Sequence, residues 1–211
     1  MTRPTHLRHS LHMPIFGLLL IALATVASVS GCLPTKSAPE VNLLTATPLP
    51  ICRIAVLPFV NNTDYVQGGA IVTRIFVAEL NRLGGFTVVQ EGDVRRILRQ
   101  MQIAPKESPG YEQRRVLADR LGVDAIVSGE IVAMHEEVNT KETNPLLAVD
   151  LKLLAVGSNT PVITTYHSRR GEEYRKLMHF GMVNTMTSLA VMVSDEILEI
   201  WFAKGVKPCA S

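Results

Sequence analysis

Cysteine is scarce in this chain. Cys32, Cys52 and Cys209 are the three present, and no two form a CxxC pair. That excludes the common thiolate zinc sites, so no structural metal is expected. A charge excess is missing too. Lys+Arg is 21 against Asp+Glu 19, a formal net charge of +2. No basic field points to nucleic acid, and none is expected as a partner. Enzyme motifs are absent as well: there is no phosphate-binding Gly-Lys-Ser/Thr loop, no nucleophile elbow and no metal-spaced His pair. The expectation is a protein with no catalytic residues and no cofactor. His135, His167 and His179 are scattered and read as surface or internally satisfied histidines. Glu136-Glu137 and Glu172-Glu173 are adjacent pairs that point apart, so they read as solvated charge. What is plentiful is apolar: 47% hydrophobic residues in 211 support a real core of one domain, two at most.

The first segment is an address. Arg3, His6, Arg8 and His9 precede an apolar run from Met13 to Val29. Its strongly apolar part is about 12–15 residues, the size of a signal-peptide core and short for a spanning helix. It ends in Val29-Ser30-Gly31-Cys32, which resembles a bacterial lipobox. The resemblance implies cleavage before Cys32, diacylglycerol on its sulfur and a third, palmitate-type chain on its new amino group. Several chains make a firm anchor at ~0.8 kcal/mol per buried methylene. The alternative is an ordinary secretory signal with a coincidental cysteine. Leu33 stands where an Asp would favour inner-membrane retention, so the outer membrane is expected. Removing Arg3 and Arg8 leaves 19 basic against 19 acidic residues. Residues 32–50 carry Pro34, Pro39, Pro48 and Pro50 without a sustained period and read as a flexible linker. The domain proper is expected over 51–211.

That domain alternates strand and helix patterns. Strands are expected at Arg53 to Phe59, Phe86 to Gln90, Ala125 to Met134, Leu146 to Val156 and Pro161 to Ser168. Helices are expected from Gly69 to the Gly84-Gly85 stop, around Val94 to Met101, and from Tyr111 to Leu121 with Gly122 as its stop. A long final helix is expected from Glu172 to Ala203, with Met178, Met182, Met186, Leu189 and Val193 along one stripe. Its His179, Asn184, Thr185, Thr187 and Ser188 argue against a membrane span. A second apolar stripe on the same helix leaves a homo-oligomer contact open. The order β-α-β-α-α-β-β-β-α predicts an α/β mixed-sheet sandwich.

Four blocks carry a family resemblance: Arg53 to Asn62 (RIAVLPFVNN), Gly85 to Glu91 (GFTVVQE), Arg96 to Gln100 (RILRQ) and Leu121 to Glu130 (LGVDAIVSGE). In this order they resemble the CsgG/LpoB-like superfamily of periplasmic lipoproteins, whose fold is related to the TolB N-terminal domain. The resemblance covers roughly 53–135 and specifies fold better than activity. It implies a non-enzymatic, lipid-anchored module that binds proteins, and it transfers no catalytic residue. The chain departs from a curli-type channel. Each membrane-spanning strand needs about 9–11 residues, and the segment His135 to Pro145 reads as a charged link between strands. It also departs from activators that cross peptidoglycan, because its linker is short.

Two residue sets are candidate sites. Cys52 and Cys209 are both exported, and an oxidising compartment favours their pairing. A bridge would contribute on the order of 4–5 kcal/mol in the chain-entropy model; free thiols or an intermolecular bond are the alternatives. Arg95, Arg96, Arg99, Arg114 and Arg115 concentrate positive charge on the second and third helices. They would suit an acidic partner or an anionic glycan, unless Glu91, Asp93, Glu112 and Asp119 simply offset them. Asn61 to Asp64 and 136–144 are further exposed polar segments. The function expected is a lipid-anchored protein-binding or assembly module on the periplasmic side of the outer membrane, serving envelope or surface-structure biogenesis. The alternative is an activator or regulator of a peptidoglycan synthase. An envelope hydrolase is disfavoured.

Overall fold

The computed structural model describes residues 38–44, 50–104, 107–138, 142–158, 160–176 and 180–209. The signal segment 1–31, Cys32, Met178 and His179 lie outside the described residues.

The strands are β1 Glu40–Leu43, β2 Pro50–Ile51, β3 Arg53–Val56, β4 Val60–Asn61, β5 Thr87–Val88, β6 Ala125–Val138, β7 Thr143–Ala155, β8 Ile163–Arg170 and β9 Lys207–Pro208. The helices are α1 Gly68–Leu83, α2 Glu91–Gln100, α3 Tyr111–Leu121 and α4 Met186–Ala203, with a 3-10 turn at Gly171–Tyr174. The main sheet runs β1-β8-β7-β6-β3-β5, and β4 also pairs with β6. Strand β3 lies parallel to both β5 and β6, whereas β6, β7, β8 and β1 alternate antiparallel. The two-residue strands β2 and β9 form a separate parallel pair. The mixed α/β sandwich expected from the element order is the architecture found.

Period-two alternation assigns the faces. Ile54, Val56, Val127, Leu151 and Ile163 point to one side, where α1 and α4 cover them. Ala55, Leu57 and Ile126 point to the other, beneath α2 and α3. Phe76 of α1 joins the layers edge-on to Phe59 at 5.7 Å and to Trp201 of α4 at 5.9 Å. The buried Trp201 Nε1 donates to Thr165 Oγ1 at 2.7 Å, so the indole is packed without leaving its N–H orphaned. Helix α3 ends at Gly122, whose φ of 61° is the left-handed stop that the sequence suggests.

Three expectations are corrected. The final helix does not run from Glu172 to Ala203. Residues 171–174 form a single 3-10 turn, and α4 begins at Met186. Gly181, at φ +84°, departs from helical geometry, and the Thr185 side chain accepts from Ser188 N at 3.2 Å, capping a fresh helix there. Apolar periodicity ran straight through a break that one glycine and one cap define. The link from His135 to Pro145 is not a loop over most of its length. Strands β6 and β7 continue through it, with Val138 opposite Thr143. The charges that masked the alternation are satisfied by neighbouring elements: Glu137 pairs with Arg170 of β8 at 3.1 Å, and Glu136 accepts from Met186 N at the start of α4 at 3.3 Å. Finally, the linker 32–50 contains strand β1, whose Val41 lies opposite Thr165 and packs on the core. A four-residue edge strand leaves too short a pattern to register.

Candidate partner-binding surface

Helices α2 and α3 lie side by side on the sheet face opposite α1 and α4, and carry all five arginines singled out from the sequence. Their environments differ. Glu91 takes Arg95 at 2.6 Å and Arg74 at 3.3 Å. Burial pushes the Glu91 carboxyl up, but the two guanidinium groups outweigh it and hold the group below its usual range. Asp93 takes Arg96 at 2.7 Å, and Glu112 takes Arg115 at 3.4 Å. Three of the five arginines are therefore neutralised by carboxylates one turn away on their own helices, exposed pairs of small energetic weight. Among the described residues, Arg99 and Arg114 have no carboxylate within ion-pair distance. Arg114 donates instead to the Pro109 carbonyl at 2.9 Å.

These two arginines border adjoining grooves. The first, about 130 Å³, is lined by Leu57, Leu98, Arg95, Arg99, Ile103 and Ala104, among others. The second, about 220 Å³, reaches Arg114, Asp150 and Lys152, and the grooves share Ser108, Ser128 and Gly129. The first opens just past the carboxyl end of β3, at Leu57 and Pro58, and the second lies over β6 and β7. The chain leaves β3 for α1 on one face and enters β6 from α3 on the other, so this is the point where the winding changes sides. Such points form crevices in open α/β sheets.

Cys52 and Cys209 are brought together in a disulfide, with Cα atoms 4.8 Å apart. The bond lies beside the β2–β9 pair, where Cys209 N donates to the Ile51 carbonyl at 3.2 Å. Asp124 supports the same corner by accepting from Cys52 N and Arg53 N. Among the described residues no cluster of three or more His, Cys, Asp or Glu side chains is arranged for a metal ion.

One polar cluster escaped the sequence reading. Beneath α4, Glu196 accepts from Arg169 Nε at 2.7 Å and from the Tyr174 hydroxyl at 3.0 Å, and its Oε2 lies 2.6 Å from His167 Nε2. Burial raises the Glu196 carboxyl, but hydrogen bonds from His167 and Arg169, with the Arg169 charge, bring it down to about 2. Burial pushes the Tyr174 hydroxyl up, and the neighbouring carboxylate adds to the effect. The signal was present: Ile163, Thr165, His167 and Arg169 alternate onto one face, so the polar members of that series had to be buried with a partner.

No protein-family model matches the chain, and no curated protein matches it. Solved structures do. The PelC dodecamer from Paraburkholderia phytofirmans matches with a TM-score of 0.55 and 16% identity, over 82% of this chain and 99% of that one. Lipoprotein GNA1162 from Neisseria meningitidis matches at 0.52 and 15%, over 72% and 99%. The chain shares its fold with these two proteins. The C-terminal domain of LpoB from Escherichia coli matches at 0.41 and 16%, over 60% and 89%. The resemblance carried by the four sequence blocks holds for the fold. At these identities, a shared fold fixes how the layers stack and leaves the surface chemistry to be read from this chain's own residues.

Proposed function

We propose that the protein is a lipid-anchored envelope module, held through Cys32 on the periplasmic side of the outer membrane, that binds other proteins through its α2–α3 face and catalyses no reaction. The observation that carries the binding role is the pair Arg99 and Arg114, which among the described residues have no carboxylate within ion-pair distance and border adjoining grooves, while Arg95, Arg96 and Arg115 on the same helices are engaged. An unmatched guanidinium beside a concavity is a recognition element rather than a stability element. The lipobox-like Val29-Ser30-Gly31-Cys32 supports the anchor. With β1 starting at Glu40, residues 33–39 are the only chain between Cys32 and the sheet. That stretch reaches at most ~30 Å, which favours a partner near the same membrane over a distant synthase. A second copy of the chain is among the partners this reading admits, as a PelC-like fold is found in a dodecamer.

The experiment has two arms. Metabolic labelling with a palmitate analogue should mark the wild type and leave Cys32→Ser unlabelled and released from membranes. A photo-cross-linking residue placed at the exposed Gln100 of α2 should yield discrete protein adducts in cells. A labelled Cys32→Ser protein overturns the anchor. A Gln100 probe without adducts, while probes on α1 or α4 give them, overturns the chosen face.

A further inference from the structure

The groove at the carboxyl end of β3 has a composition that narrows its ligand. Its floor is aliphatic: Leu57, Leu98, Ile103 and Ala104. Its volume, about 130 Å³, lies well below the roughly 300–1,000 Å³ typical of cofactor and small-molecule sites. There is room on this floor for one side chain. Arg99 stands on its rim and Arg114 on the rim of the adjoining groove, with Ser108 and Ser128 between them offering hydroxyl groups.

We propose that this groove binds a short acidic peptide segment of a partner protein. One aliphatic or aromatic side chain seats on the Leu98–Ile103 floor, and flanking carboxylates meet Arg99 and Arg114. The proposal rests on the partner-binding reading above and names the ligand of that surface.

Three observations favour a peptide with both features. Burying an apolar side chain on the floor gives non-directional affinity. The guanidinium groups supply the directional part, because their planar donors match a carboxylate in bidentate geometry. Arg95 and Arg96 are already engaged by Glu91 and Asp93, so the incoming acid competes with no existing ion pair at Arg99 or Arg114. An anionic glycan fits less well. Among the described residues no aromatic side chain lines either groove to stack against a sugar ring. A long polyanion would also meet Glu107 on the first rim and Glu130 and Asp150 beyond Ser128. These carboxylates limit the bound segment to a few residues.

The test uses the purified full-length chain in detergent as bait for a displayed library of random ten-residue peptides. Enriched peptides are then synthesised with a fluorophore and titrated by anisotropy. The expected consensus is two or more Asp/Glu beside one Leu, Ile, Met or Phe. Affinity should fall about tenfold or more in Arg99→Glu, and similarly in Ala104→Trp, which fills the groove from an exposed position. It should change less than about threefold in Arg96→Glu, whose arginine is engaged by Asp93. Raising salt should weaken binding, because the guanidinium groups are solvent-accessible. A basic or featureless consensus overturns the proposal. So does binding that survives both Arg99→Glu and Ala104→Trp, or specific binding of polyglucuronate with no peptide enriched. If adducts form at Gln100 in cells while no acidic–apolar peptide binds, the ligand class falls and the docking face stands. If neither appears, both fall together.

Discussion

Arg169 Nε donates to Glu196 Oε2 at 2.7 Å, joining the last turn of strand register in β8 to the middle of helix α4. The guanidinium side chain is 5% exposed, so it has exchanged water for carboxylates: Glu196, and Glu173 at 3.2 Å. Tyr174 and His167 close on the same carboxyl. The cluster fixes the 3-10 turn, the end of β8 and α4 to one another.

Removing the charge while keeping the shape should therefore be costly. Glu196→Gln is expected to lose about 3 kcal/mol of unfolding free energy, since a buried guanidinium then keeps one carboxylate fewer. Urea denaturation at neutral pH measures it. Replacing both partners, as Arg169→Met with Glu196→Leu, should cost less than Glu196→Gln alone. If the double variant is the weaker of the two, the buried-charge explanation fails.

The same carboxyl sets an acid limit. Its pKa in the folded protein is about 2, against roughly 4.3 in an unfolded chain. The shift is downward, so the contribution is complete above the unfolded value and disappears as pH falls toward the folded one. On the order of 3 kcal/mol should be lost between about pH 5 and pH 2. Thermal melts across that window should show a steeper decline for the wild type than for Glu196→Gln. Parallel slopes would assign the acid sensitivity elsewhere.

Cys52 and Cys209 close a span of 157 residues. Restricting so long a segment of the unfolded chain is expected to contribute about 4–5 kcal/mol in the chain-entropy model. Cys52→Ser or Cys209→Ser should lower the unfolding free energy from urea denaturation by that amount and leave far-ultraviolet circular dichroism intact, because the main sheet does not depend on the short β2–β9 pair. Reductant should reproduce the shift in the wild type and have no effect on either variant.

Gly171 is a close-approach position. A Cβ there would collide with the Val183 carbonyl oxygen and stand 2.9 Å from Pro145 Cδ, while Val183 N donates to the Gly171 carbonyl at 3.1 Å. Gly171→Ala should cost about 1–3 kcal/mol by forcing these segments apart. Gly92→Ala, where nothing lies within 4 Å, is the matched control and should be neutral or slightly stabilising on helix propensity. Equal effects at the two sites would refute the steric account.

The parts legible in the sequence are those where pattern and packing coincide. Ile54, Val56 and Ile126 alternate because helices cover both faces there, and Gly122 stops α3 where a glycine should. The parts that stayed hidden have local causes. Glu136 and Glu137 look like loop residues until Met186 N and Arg170 are seen to meet them. Thr185 reads as one polar residue in an apolar run until its cap is visible. The arginine face was legible as a concentration of charge, but not as a distribution. Spacing of three and four residues allows pairs in many combinations, and only the observed distances separate the engaged Arg95, Arg96 and Arg115 from Arg99 and Arg114.

The lateral borders of the main sheet carry a further consequence. One border is β5, two residues long, and the other is β1, four residues long and headed by a glutamate. A foreign strand arriving at either of these sides would find very few free amide and carbonyl groups in line. The longer open stretch among the described residues is on β6, whose residues 132–138 pair with β7 alone, and there Glu136 and Glu137 carry the charge that discourages an incoming strand from extending the sheet.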